Sequence, residues 1–290
     1  MGAITAENVA IAELVVYIPT ALLTVWVVFR HGVHKQLGWI YLAIFSGIRI
    51  AGSAMEIQSA HNPSDTTSEE WALILQSVGL SPLLLSTLGL LKRVGRIYTK
   101  RATATSRRSR AVQLLHIPAL IGLILAISGG TDEASDNASD HAGGQTKVRV
   151  AVVLFLLIFL AALLLWAVTL RDFRNMQAGQ TRIYLCVMVA MPLIAVRLLY
   201  SLISNFGNSP QFSLIHGDEA IRLGMASVEE FLVVIMYTIL GVFTPRFVGV
   251  PEANGRGSVE EVDTSYGPTY QVEDEERVGS GRGHGRHGRH

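Results

Sequence analysis

Seven charged residues stand inside long apolar segments of this 290-residue chain: Glu13, Arg49, Glu56, Arg197, Arg222, Glu229 and Glu230. A charged side chain at the centre of a membrane helix costs about 2.5–3.5 kcal/mol on insertion scales, so it persists where it is paired or faces water. The chemistry open to such residues is ion pairing across helices, or the binding of a polar or charged ligand. Because both signs of charge are present, the sequence predicts that these residues meet and pair.

Spacing along the chain places the side chains on shared helix faces and at shared depths. Arg49 and Glu56 are seven residues apart, which puts them on one face of a helix. Tyr200 follows Arg197 by three residues and belongs to the same polar stripe. At about 1.5 Å per residue, Arg49 lies about 18 Å into its apolar segment and Arg197 about 21 Å into its own. We therefore expect the two arginines at one level.

The acidic residues of the last apolar segment reach the same level from the opposite direction. Glu229 and Glu230 lie about 14–15 Å from the start of that segment. We predict that Arg197 pairs with one of these two glutamates. Arg49 is then expected to pair with Glu56 or with the carboxylate that Arg197 leaves. Arg49 and Arg197 face three carboxylates, those of Glu56, Glu229 and Glu230. One carboxylate is therefore left to hold a proton or to bind a cationic or hydroxylated ligand.

The elements that must position these side chains are membrane helices. Half of the chain is apolar and only 16% is charged, compared with about 25% in a typical soluble domain. A bilayer core needs about 20 apolar residues per crossing, and lipid leaves helices as the way to satisfy the backbone. The sequence therefore predicts an all-α bundle of seven transmembrane helices. The predicted spans are 9–29, 37–60, 71–91, 111–128, 150–170, 183–204 and 220–243.

Basic residues predict the orientation of this bundle. Loop 92–110 holds eight Lys and Arg residues, the first loop holds two and the fifth loop holds three. The second and sixth loops hold none. Cytoplasmic loops carry the excess of Lys and Arg, so we expect the N-terminus outside and the C-terminus in the cytoplasm. Asn137 starts an Asn-Ala-Ser sequon in a predicted external loop, which makes it a weak glycosylation candidate. Loop 92–110 could also attract anionic lipid.

Residues 248–290 differ in composition from the rest of the chain, which we predict to form a membrane domain over 1–247. They are rich in Gly, Glu, Arg and Ser, and we expect a disordered cytoplasmic tail. Together with loop 92–110, this tail is a candidate contact for a cytoplasmic partner. A metal site at the terminal His284, His287 and His290 is the less favoured interpretation, because a flexible tract lacks a preformed site.

Several function classes find no support in the sequence. A single cysteine, Cys186, allows no intrachain disulfide, and the net charge of +1 gives no nucleic-acid signature. No phosphate-binding or dinucleotide-binding glycine motif occurs. The four lysines all lie outside the last span, so a retinal Schiff base is excluded. We therefore expect no cofactor, no metal, no nucleic acid and no enzymatic activity.

Three motifs carry a family resemblance. They are Pro-Leu-Ile-Ala-Val-Arg-Leu-Leu-Tyr-Ser-Leu at 192–202, Gly-Ile-Arg-Ile-Ala-Gly at 47–52 and Val-Glu-Glu-Phe at 228–231. Over residues 5–247 the chain resembles uncharacterised seven-helix integral membrane proteins of filamentous fungi. That resemblance implies the topology and a fungal origin, and it adds no assigned activity. Looser likenesses are to the fungal lipid-translocating exporter family and to fungal receptor-like seven-helix proteins.

Three functional hypotheses follow. The first is a receptor-like sensor that binds a small amphiphile between helices two, six and seven, with helix six moving about Pro192. The second is a translocator of lipid or small molecules, and the third is a structural membrane protein whose charge pairs serve assembly only. Membrane lipids are expected partners in each case, at the plasma membrane or an endomembrane. The candidate ligand-binding residues are Arg49, Glu56, Arg197, Tyr200, Glu229 and Glu230.

Overall fold

A computed structural model describes most of the membrane domain. The described residues are 5–31, 37–62, 64, 66–97, 102–133, 138–171, 173, 178–207, 211 and 219–244. They belong to the first of two units into which the chain divides, Met1–Phe247 and Val248–His290. The predicted disordered tail with its three histidines lies outside the described residues, and so does Asn137.

The described residues form helices and contain no strand. The helices are α1 (Ala6–His31), α2 (Leu37–His61), α3 (Thr66–Val78), α4 (Leu80–Ile97), α5 (Ala102–Glu133), α6 (Ala138–Leu170), α7 (Ala178–Phe206), α8 (Glu219–Arg222) and α9 (Val228–Phe243), with a π-helical segment at Leu223–Ser227. Within these residues, seven helical stretches are long and apolar enough to cross a membrane, which confirms the predicted fold class.

The third span is two helices rather than the single helix predicted over 71–91. α3 ends at Val78, and α4 starts at Leu80 after one turn residue, Gly79. Pro82 explains the break, because its ring clashes with the carbonyl four residues earlier, at Val78, and it has no amide hydrogen to donate. In the first turn of α4 the missing amide hydrogen does no harm.

The seventh span is also irregular. It begins as α8, widens into the π-helical segment and continues as α9. In the π turn the amide of Val228 bonds to the carbonyl of Leu223, five residues back instead of four. Isolated π turns are frequent at functional sites.

α5 and α6 extend well beyond the predicted apolar stretches 111–128 and 150–170. Hydropathy marks the part of a helix that fits into lipid, whereas Arg, Lys, Gln and Ala continue a helix into water at little cost. The two helices pack closely where Gly129 faces Gly144, since a methyl group at position 144 would lie 2.6 Å from the carbonyl oxygen of Gly129.

The third span lies at the centre of the bundle. In its most apolar stretch, 78% of the residues are buried inside the protein, compared with 22–44% of the residues in the corresponding stretches of the other six spans. The outer helices present large apolar side chains to the outside, among them Leu22, Leu114 and Leu164. An apolar outer surface of this kind suits contact with lipid rather than water. The break at Gly79 therefore lies deep inside the protein.

Candidate functional site

The centre of the candidate site is Glu230, which lies in the first turn of α9 and is 0% exposed. Arg49 of α2 donates from Nη2 to its Oε2 atom. Arg197 of α7 donates from Nε to its Oε1 atom at 2.5 Å. Both arginines are buried as well. One carboxylate therefore joins two guanidinium groups from two other helices, and we name Arg49, Glu230 and Arg197 the inner triad.

Arg197 uses its remaining donors on two further groups. Nη1 donates to the hydroxyl of Ser201 at 2.6 Å, and Nη2 donates to the backbone carbonyl of Gln76 at 3.2 Å. Gln76 lies in the last turn of α3, where carbonyls lack an amide partner in their own helix. The helix break thus provides an acceptor for a buried cation. Tyr200 is buried, and its ring centroid lies 5.7 Å from the guanidinium carbon of Arg197.

A second cluster surrounds Glu56. Arg222 of α8 donates from Nη2 to Glu56 Oε1 at 2.5 Å, and from Nη1 to the side-chain oxygen of Gln76 at 3.0 Å. The amide nitrogen of Gln76 lies 3.5 Å from Glu56 Oε2. We name these three residues the outer cluster. Gln76 connects it to the inner triad, because its side chain belongs to the outer cluster while its carbonyl binds Arg197.

A third buried carboxylate lies on α1. Glu13 accepts a hydrogen bond from Ser227 of the π segment at 2.6 Å, and Ser53 of α2 lies 2.8 Å from its other oxygen. α1, α2 and the seventh span therefore meet at this side chain.

The predicted pairing is right for Arg197 and wrong for Arg49. Arg197 pairs with Glu230, as one of its two predicted partners. Arg49 pairs with neither Glu56 nor the remaining Glu229, but with the same Glu230. Arg49 does not pair with Glu56 because seven residues along one helix separate their Cα atoms by about 10.5 Å. Glu56 pairs with Arg222 instead. Glu229 is half-buried, and its Oε2 atom has no hydrogen-bond partner.

Sequence reasoning left three members out of the site. Arg222 and Glu13 were recognised as charges inside spans, and Gln76 was not singled out. The missed signal for Arg222 is its depth, because it lies about half a turn from the start of the seventh span and Glu56 lies about one turn from the end of the second. The signal for Gln76 is its isolation as an amide in an otherwise apolar segment.

A small cavity adjoins the inner triad on the side of α5 and α6. It has a volume of about 20 Å³, which is room for about one water molecule. Its polar wall is formed by Ser77, Arg197, Ser201 and Asn205, and apolar residues such as Phe155 close the rest. α7 runs through Pro192 as one helix, and Pro192 does not line this cavity.

No metal-binding cluster of His, Cys, Asp or Glu occurs within the part of the chain that the structure describes. What the buried polar groups offer instead is a set of guanidinium, carboxyl, amide and hydroxyl groups within the membrane domain. Such a set can hold helices together, or exchange its internal partners for a polar ligand.

Comparison with known proteins places this arrangement in a family. No curated protein matches the chain. A family model described as a domain of unknown function, DUF7702, matches residues 4–246, which include every residue of the inner triad and the outer cluster. The chain therefore belongs to the DUF7702 family, and it is an integral membrane protein with seven membrane-spanning helices.

Proposed function

We propose that the chain is a receptor-like sensor that binds a small amphiphile between α2, α7 and α9. The observation that carries this proposal is the shared carboxylate of the inner triad. Two guanidinium groups depend on Glu230, so one of them would gain from a second anionic partner. An amphiphile with a carboxylate or phosphate head group provides such a partner. Its acyl chain would lie against the apolar helix surfaces.

Glu229 gives the sensor a second state. It neighbours Glu230 on α9 and has a buried oxygen atom without a hydrogen-bond partner. A π turn holds an extra residue, so if it moves along the helix past Glu230, the residues in between shift by one place. Glu229 would then occupy the place of Glu230, while Val233 and Tyr237 keep their positions in the core. Ligand binding would favour this second arrangement.

A thermodynamic cycle tests the switch without a ligand. Glu229→Gln should barely change the melting temperature of the full-length protein, because Glu229 is not part of the inner triad. In a Glu230→Gln background the same substitution should be strongly destabilising, because Glu229 is then the replacement partner of the arginines. Equal effects of Glu229→Gln in both backgrounds would overturn the switch.

Amphiphile probes test the sensor itself. We would titrate the protein in nanodiscs with oleate, lysophosphatidate and sphingosine, and measure hydrogen exchange over residues 223–232. The two anionic probes should change exchange in the wild type, and the change should vanish in Glu229→Gln. If none of the three probes changes exchange in this segment, the sensor proposal is wrong.

The orientation and the partners belong to the same proposal. We place the N-terminus outside and the C-terminus in the cytoplasm, on the basis of the basic residues of loop 92–110. That loop and the tail 248–290 would pass a change in α7 and α9 to a cytoplasmic partner. Membrane lipids would surround the apolar outer surface of the bundle.

A lipid translocator is the second candidate, and the cavity next to Arg197 favours it. The polar wall of the cavity follows α7 from Arg197 through Ser201 to Asn205, which is the start of a polar path. Purified protein in liposomes should then move a fluorescent lipid between leaflets, and Arg197→Ala should abolish the movement. Unchanged flipping rates in protein-containing and protein-free liposomes would exclude this candidate.

A further inference from the structure

Glu13 differs from the other buried carboxylates of the site in its partners. It is 7% exposed, and its hydrogen-bonding partners are the hydroxyls of Ser53 and Ser227. None of the described residues forms an ion pair with it. An ionised carboxylate buried without a counter-charge is very costly in a medium of low polarity. A bound proton or a nearby cation must therefore compensate the charge of Glu13.

The balance of buried charges gives the same result. The clustered ionisable residues are Glu13, Glu56, Glu229, Glu230, Arg49, Arg197 and Arg222, which is one carboxylate more than the number of guanidinium groups. Glu56 and Glu230 form ion pairs. Glu229 is half-buried, although its Oε2 atom is not exposed. Glu13 is the more buried of the two carboxylates that have no ion-pair partner among the described residues.

The hydroxyl of Ser53 has more acceptors than it can serve fully. Its oxygen lies 2.8 Å from Glu13 Oε2 and 2.9 Å from the carbonyl oxygen of Arg49. A serine hydroxyl has one hydrogen to donate, so these two acceptors must share it. A cation in contact with the Ser53 oxygen and with Glu13 Oε2 would leave this hydrogen to the carbonyl of Arg49 alone.

Tyr17 is a second, independent sign of a missing group. It lies one turn from Glu13 on the same face of α1 and is fully buried, yet its hydroxyl has no hydrogen-bond partner. The phenol is within electrostatic reach of Arg49, Glu13 and Arg197. A buried hydroxyl without a partner is unfavourable unless an ion or a water molecule completes its contacts.

We propose that Glu13, Ser53 and Ser227 form a binding site for a sodium ion. The two carboxylate oxygens and the two hydroxyl oxygens provide four hard ligands from three helical elements, which suit a hard cation. One positive charge matches one carboxylate, whereas a divalent ion would leave a buried excess. Ser227 ends the π segment, and irregular turns of membrane helices are where carbonyls become free to coordinate sodium.

Sodium binding is measured with the full-length protein in nanodiscs at neutral pH. Replacing choline chloride by sodium chloride at a total of about 0.15 M salt should raise the melting temperature by roughly 2–4 °C. Radioactive sodium should bind with one ion per chain. Glu13→Gln should abolish both effects, and Ser227→Ala should weaken binding several-fold. Glu69→Gln, at an exposed carboxylate of α3, is the matched control and should change neither.

Each other outcome overturns the site. Wild-type protein that binds no radioactive sodium settles the question without any variant. Retained binding in Glu13→Gln would place the ion elsewhere. Stability that depends on pH but not on sodium, and loses that dependence in Glu13→Gln, would assign a proton to Glu13 instead. The sodium site is independent of the proposed sensor, because its test measures ion binding and not a response to an amphiphile.

Discussion

The Nε atom of Arg197 lies 2.5 Å from Oε1 of Glu230, with both side chains almost fully buried. Removing one member of a buried ion pair leaves an uncompensated charge, and this typically costs about 3–5 kcal/mol. Because Glu230 also serves Arg49, the members of the inner triad are not equivalent. Loss of the glutamate leaves two guanidinium groups without their shared carboxylate, whereas loss of one arginine leaves the other ion pair intact.

In a Glu229→Gln background, where no replacement carboxylate remains, Glu230→Gln should therefore destabilise the protein more than Arg197→Gln. We expect about 3–5 kcal/mol for the glutamate and about half of that for the arginine. Thermal unfolding of the full-length protein in detergent measures both effects. Equal losses for the two variants would contradict the shared carboxylate.

Replacing the whole inner triad by leucine separates structure from function. A buried charge network can often be exchanged for apolar residues at no cost in stability. We expect the triple variant to be more stable than Glu230→Gln alone, and to lose the response to oleate and lysophosphatidate. A triple variant that still responds would show that the triad serves assembly only.

The outer cluster should show direct coupling between Glu56 and Arg222. A double-mutant cycle with Glu56→Gln and Arg222→Gln should give an interaction free energy of about 0.5–3 kcal/mol. The single variants should cost less than Glu230→Gln, because the outer pair is more exposed than the inner triad. Additive effects of the two substitutions would contradict the ion pair between them.

Close packing of α5 on α6 makes Gly144 sensitive to a single methyl group. A Cβ atom there would lie 2.5 Å from the amide nitrogen of Glu133, so Gly144→Ala must push the helices apart. We expect a loss of about 1–3 kcal/mol in thermal unfolding. Gly143→Ala is the matched control, because its Cβ atom would meet nothing within 4 Å. Similar melting temperatures for the two variants would contradict this packing.

The orientation is testable with single cysteines. In a Cys186→Ser background, Asn137→Cys should react with a membrane-impermeant maleimide added outside intact cells. Ser106→Cys, near the start of α5 in the basic segment 92–110, should react only after the membrane is permeabilised. The reverse pattern would invert the proposed orientation.

The sequence was sufficient to predict the class of fold, because seven apolar stretches of membrane length have one stable solution in lipid. It also predicted that Arg197 meets the acidic pair of the last span, because helix rise fixes depth. The partner of Arg49 could not be obtained this way. Depth does not determine which way a helix is rotated, and the rotation of α9 depends on the π turn before it.

Gln76 shows a second limit of the same kind. Its carbonyl binds Arg197 because α3 stops two residues later. Proline is frequent in membrane helices and usually bends them, so Pro82 alone did not distinguish a bend from a break. In one continuous helix the carbonyl of Gln76 would bond within the helix, so the prediction of a single helix gave no reason to expect a free backbone acceptor there.

The interruption at Gly79 has an electrostatic consequence for the interior of the bundle. Each helix carries about half a positive charge at its N-terminus and half a negative charge at its C-terminus. α3 ends and α4 begins beside the inner triad, so both partial charges are available far from water. The negative end faces the guanidinium of Arg197 through Gln76. A methyl group on Gly79 would lie only 3.6 Å from Oε2 of Glu230, which brings the positive end of α4 close to the carboxylate. The end of α3 and the start of α4 thereby stabilise the buried ions, as water would stabilise them at the surface of a soluble protein.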